Sequence, residues 1–128
     1  MHFFRKNHAA KKTIFVVDDE VLLLDLAEEI LAPMGFEVRK FTTAEEALEE
    51  FTKSPPSLIL TDYWMPRMSG MDLIRECRRL NPQQKIVLIS GTVDCEVFAG
   101  APVKPDQFVA KPYDVEKLKQ LVRDLTAA

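Results

Sequence analysis

The stretch 57-SLILTDYWMP-66 decides how the rest of the chain is read. Leu58, Ile59 and Leu60 suit a strand buried in the middle of a sheet, and Pro55 and Pro56 bar a helix just before it. The apolar run then gives way to a carboxylate, Asp62, with Tyr63 and Trp64 behind it. An unpaired charge at the mouth of an apolar strand is costly to desolvate. The position therefore asks for partners from elsewhere in the chain.

Working outward, the same kind of segment recurs. "TIFVV" (13–17), "FEVRKF" (36–41), "KIVLIS" (85–90) and "QFVAK" (107–111) read as strands beside "SLILT" (57–61). Helical spacing fills the intervals. "EVLLLDLAEEILAPM" (20–34) aligns Leu23, Leu24, Ala27, Ile30 and Leu31 and runs towards Gly35. "TAEEALEEFTK" (43–53) is a helix that Thr42 or Thr43 can cap, with an acidic outer face. "SGMDLIRECRRLNP" (69–82) turns Leu73, Ile74, Cys77 and Leu80 inward and stops at Asn81-Pro82. "DVEKLKQLVRDLTAA" (114–128) carries Val115, Leu118, Leu121, Val122 and Leu125 on one stripe. Five strands alternating with helices predict an α/β fold, a doubly wound parallel sheet covered on both faces. One segment resists. Across 92–107, Gly100, Pro102 and Pro105 leave room for a fourth helix of about two turns, near 93–99, so a short or irregular element is expected there.

The totals set bounds. A chain of 128 residues, 47% hydrophobic and 29% charged, suits one globular domain with its own core. No apolar run approaches the roughly 20 residues of a membrane helix, and the start has no stretch long enough for a secretory signal. Residues 1–12 carry Arg5, Lys6, Lys11 and Lys12 and no acid; without them the net charge of −3 becomes −7. We expect a flexible basic tail (1–12) on an acidic domain (13–128). Four bases in twelve residues are weak support for a nucleic-acid arm, and no direct nucleic-acid contact is expected. Cys77 and Cys95 fit no metal or redox spacing and suit a reducing cytoplasm.

In an open parallel sheet, ligands bind outside the carboxyl ends of the strands. After "IFVV" come Asp18, Asp19 and Glu20; after "LILT", Asp62; after "IVLI", Ser90, Gly91 and Thr92; after "FVA", Lys111 and Pro112. Each has a bland explanation alone. Asp19 can simply cap the helix that begins near Glu20, Ser90 can be a turn residue, and Lys111 can be a solvated cation. Together they converge on one rim, which chance explains poorly. Clustered carboxylates repel unless a cation sits among them, and with only oxygen donors present a hard ion such as Mg²⁺ suits the set. A carboxylate can also be a nucleophile, with an ammonium and a hydroxyl to hold added phosphoryl oxygens. The pattern points to reversible phosphorylation of one aspartate.

"VVDDE" (16–20), "LTDYWMPRMSGMDLI" (60–74), "LISG" (88–91) and "FVAKPY" (108–113) together resemble the receiver domain of bacterial two-component response regulators, over nearly all of 13–127. The separations are typical of it: 43 residues from Asp19 to Asp62, 28 to Ser90, 21 more to Lys111. The resemblance implies a flavodoxin-like sheet of order 2-1-3-4-5. It implies that Asp62 is the phosphoacceptor. Asp18 and Asp19 would bind Mg²⁺ directly or through water, with Asp62 and the backbone carbonyl of Trp64 as further ligands. Lys111 and Ser90 would contact the phosphoryl oxygens, and the Lys111–Pro112 bond would be cis. Phe108 stands at the family's aromatic switch position, which leaves two readings, a ring that turns inward with Ser90 or a plain core residue. Trp64 on the rim either shields the phosphoryl group or only packs. "PRMSG" (66–70) shapes the loop into the next helix, with Gly70 supplying backbone freedom.

The implied partners are a sensor histidine kinase or phosphotransfer protein and a downstream protein. The module would be cytoplasmic, away from membranes, and a monomer or weak dimer, and would catalyse only its own phosphorylation and dephosphorylation. No output domain is expected within these residues. Other classes fit less well. A Mg²⁺-dependent aspartyl-nucleophile phosphatase would place a second acid two residues after the first, where Trp64 stands. A flavin carrier would need a phosphate loop where "DDE" lies. A docking-only receiver would not need Asp19, Asp62, Ser90 and Lys111 together.

Overall fold

The computed structural model describes residues 11–91 and 103–127. The five strands are β1 (Thr13–Val17), β2 (Glu37–Phe41), β3 (Leu58–Asp62), β4 (Ile86–Ser90) and β5 (Gln107–Ala110). They form one parallel sheet in the order β2-β1-β3-β4-β5. The described helices are α1 (Val21–Leu31), α2 (Ala44–Lys53), α3 (Gly70–Leu80) and α4 (Val115–Thr126). The expected fourth helix near 93–99 and residues 1–10 of the tail lie outside the described residues.

Residue alternation along the central strands builds two cores. Phe15, Val17, Ile59, Ile86 and Leu88 point to one face, where Phe51 of α2 and Leu73, Ile74 and Cys77 of α3 cover them. Ile14, Val16, Leu58, Leu60, Val87 and Ile89 point to the other, under Leu24, Ala27 and Leu31 of α1 and Leu118 and Val122 of α4. Side chains on both faces being buried is why β1, β3 and β4 are near-continuous apolar runs.

Helix ends follow local chemistry. Thr43 caps α2, its hydroxyl accepting the Glu46 N–H. Ser69 and Asp72 form a reciprocal capping box at α3. α1 ends in a 3₁₀ turn (Ala32–Met34) and Gly35 at φ 100°.

Two sequence expectations need correction. Leu80 lies on the apolar stripe of α3 yet is 46% exposed. It is the last helical residue, and Asn81 is already extended, so the chain leaves the sheet face there. Gly70 does not serve a left-handed backbone; the residue in that region is Arg67, at φ 67°. Gly70 is needed for close approach, because a Cβ on it would stand 2.2 Å from the backbone oxygen of Asp62. Among the described residues, no helix is long and apolar enough to cross a membrane.

Candidate functional site

β1, β3, β4 and β5 end on the same edge, and their terminal residues meet there. Asp18 follows β1 and stays in the ladder, its N–H donating to Phe41 O at 3.0 Å. Its carboxylate is buried and bonded at both oxygens: Oδ1 accepts the Glu20 N–H at 2.9 Å, and Oδ2 accepts Lys111 Nζ at 3.1 Å. Asp62 is the last residue of β3, also buried, with Oδ1 3.2 Å from the same ammonium. The partner asked for by the apolar strand is thus Lys111, 49 residues further on.

Asp19 is exposed, and its carboxylate lies within 4.8 Å of those of Asp18 and Asp62. It does not cap α1: Glu20 occupies the cap position without a side-chain bond, and Asp18 closes the turn instead. The bland reading of Asp19 therefore loses its support. Ser90 ends β4 in a buried position, and the Lys111 N–H donates to its backbone oxygen at 2.9 Å. The Lys111–Pro112 bond is cis. Trp64 is 74% exposed on the rim, whereas Met65 beside it is buried. Phe108 is partly buried against the core under α2 and α3.

Electrostatics follow from this crowding. Burial, and then the Asp18 carboxylate, raise the pKa of Asp62 above its ordinary value, against the pull of Lys111. Burial lowers the Lys111 pKa, but its bonds to Asp18 and Asp62 outweigh that and the net shift is upward. Tyr113, which sequence reasoning gave no role, feels the same field: burial first, then Asp18, raise its phenol pKa. Its place two residues after Lys111 was the available signal. Three carboxylates against one ammonium leave excess negative charge on an all-oxygen donor set, which suits a hard divalent cation.

The raised Asp62 pKa has a consequence for stability. The folded protein holds this proton at pH values where the unfolded chain has released it. The stability contributed is therefore present below the ordinary value of 3.8 and lost as pH rises through the higher folded value. In metal-free buffer at neutral pH, Asp62→Asn is expected to melt at a higher temperature than the wild type, and the gain should shrink as pH falls towards that range. Melting curves across pH check this; a variant less stable than the wild type at pH 7 would contradict it.

A five-stranded flavodoxin-like sheet with an acid cluster and a lysine at its carboxyl edge defines a receiver-like signalling domain. The chain belongs to the response regulator receiver domain family, whose profile matches residues 14–123. It is 32% identical over 115 residues to the "Probable transcriptional regulator ycf27" of Pyropia yezoensis, covering 90% of this chain and 47% of that protein. It is 25% identical over 117 residues to the "Chemotaxis protein CheY" of Thermotoga maritima, covering 90% and 98%. The crystal structure of the receiver domain of NtrX from Brucella abortus superposes with a TM-score of 0.81 at 31% identity, over 88% of this chain and 97% of that one. The chain spans about half the length of the first curated relatives it matches. As a receiver domain it is a module of two-component signalling.

Proposed function

We propose that Asp62 accepts a phosphoryl group from a phosphohistidine on a sensor histidine kinase or phosphotransfer protein, and that the modified domain changes its affinity for a downstream protein. A carboxylate oxygen of Asp62 attacks phosphorus, the P–N bond breaks, and its electron pair leaves with the histidine nitrogen. A small donor such as acetyl phosphate would react the same way, with P–O cleavage. Asp18, Asp19, Asp62 and the Trp64 carbonyl would hold Mg²⁺. The ion supplies charge neutralisation for an in-line transfer.

The observation that carries this reading is one ammonium, Lys111 Nζ, lying 3.1 Å from Asp18 and 3.2 Å from Asp62. An ammonium already within reach of the attacking carboxylate can pair with an incoming phosphoryl oxygen without reorganisation. Ser90 would donate a hydrogen bond to another oxygen after transfer. Movement of Ser90 would open space for Phe108 to turn, a packing change driven by a local charge. The module would act in the cytoplasm and turn over no separate substrate.

Intact-mass measurement with acetyl phosphate tests the reading. One phosphoryl adduct is expected with Mg²⁺ and none with chelator. No adduct from any donor would favour a docking-only receiver, and sustained hydrolysis of a phosphate ester would favour a phosphatase.

A further inference from the structure

The sheet edge opposite the acid cluster holds a polar constellation that phosphoryl transfer does not use. Arg78, in the last turn of α3, has a side chain only 19% exposed. Its Nε donates to Gln84 O at 2.9 Å, Nη1 to Lys104 O at 2.7 Å, and Nη2 to Asp106 Oδ2 at 2.8 Å. Asp106 Oδ2 also accepts the Ile86 N–H at 2.7 Å, and the Asp106 N–H donates to Ile86 O at 2.8 Å. Gln84 and Lys104 lie on the segments that lead into β4 and β5. One guanidinium therefore ties the starts of the two strands together, and the Asp106 carboxylate adds a rung before β5 begins.

β4 ends at Ser90, and Lys111 directly follows β5. β5 is an edge strand of four residues, paired with β4 and with none of the four fully buried. A strand with so little buried side chain is weakly specified in register and opens easily. Asp106 to Lys111 is a reach of about 16 Å at ordinary strand rise. Slippage at the Asp106 end would carry Lys111 away from Asp62.

We propose that Arg78 is a positioning residue for the site at the opposite edge: bracketed with Asp106, it locks β5 in register on β4 and so holds Lys111 where it meets a phosphoryl group. The proposal rests on the phosphoacceptor reading above, and its test separates the two. Phosphoryl uptake from acetyl phosphate at saturating Mg²⁺ and amide hydrogen exchange are measured on the full chain for the wild type, Arg78→Ala, Asp106→Asn, Lys111→Ala and the double variant Arg78→Ala/Lys111→Ala. Arg78→Ala should take up the group about tenfold more slowly, in keeping with the sensitivity of such steps to small misplacements. Its Lys111 amide should exchange faster while amides of β1 and β3 stay protected. In the Lys111→Ala background, Arg78→Ala should slow uptake no further. Asp106→Asn, which keeps an acceptor for Ile86 but loses the charge, should fall between and serves alone if Arg78→Ala does not fold.

Unchanged exchange at the Lys111 amide overturns the proposal. Slowing that adds fully to that of Lys111→Ala also overturns it, since that marks a general loss of stability. A wild type that takes up no phosphoryl group defeats the reading of Asp62 instead, and the exchange result still decides whether Arg78 sets the register.

Discussion

Asp62→Asn will take up no phosphoryl group from acetyl phosphate under conditions that modify the wild type. The amide has nearly the shape of the carboxylate, so the packing at the end of β3 is kept, and Lys111 retains Asp18 as a partner at 3.1 Å. What disappears is the proposed nucleophile: a neutral amide oxygen does not attack phosphorus at a useful rate. The effect is therefore expected to be complete on the scale of intact-mass detection. The carboxylates of Asp18 and Asp19 lie within 4.8 Å of that of Asp62 and are the natural substitutes. Asp18 has one oxygen bonded to Lys111 and the other to the Glu20 N–H, which leaves it poorly placed to attack. A wild-type-sized adduct on Asp62→Asn would move the acceptor to one of these residues, and peptide mapping would say which.

Gly70→Ala is expected to destabilise the domain by about 3 kcal/mol, the upper range for forcing an atom into a packed site. An ideal Cβ would stand 2.2 Å from the backbone oxygen of Asp62, 3.1 Å from its carbonyl carbon and 3.0 Å from a Leu88 methyl. The first two are backbone atoms at the end of β3 and cannot rotate aside. Either α3 moves off the sheet, opening the core around Leu73 and Ile74, or the end of β3 moves and carries the Asp62 carboxylate with it. Stability and phosphoryl uptake should therefore fall together. Urea midpoints and uptake rates measured on the same samples check this. A midpoint within error of the wild type would show that α3 shifts freely at its first turn.

The sheet was legible because burial on two faces leaves a local signature. The apolar runs at 13–17, 57–60 and 86–89 are long enough to exclude a half-wet strand, and the helices between them show their stripes. The rim was legible because each site residue directly follows or ends such a run. Asp18, Asp62, Ser90 and Lys111 could be grouped before any distance was known. Less accessible were features set by contact between distant segments. Leu80 fits its stripe and still faces solvent, because a helix can outlast the sheet it covers. Gly70 invited a conformational explanation, whereas its neighbour across the fold, the Asp62 carbonyl, supplies the steric one. Arg78 and Asp106 are 28 residues apart, and nothing near either indicates a shared set of bonds.

By itself, then, the order of residues determined the alternation of strands and helices and the chemistry brought to one edge, since periodicity and strand-end position are properties of neighbours in the chain. Only the tertiary structure decided how the two adjacent acids divide their roles, with Asp18 buried against Lys111 and Asp19 left facing solvent. That division depends on how far β1, β3 and β5 extend relative to one another. Relative strand height is fixed by the packing of the whole sheet, and no short stretch of sequence encodes it.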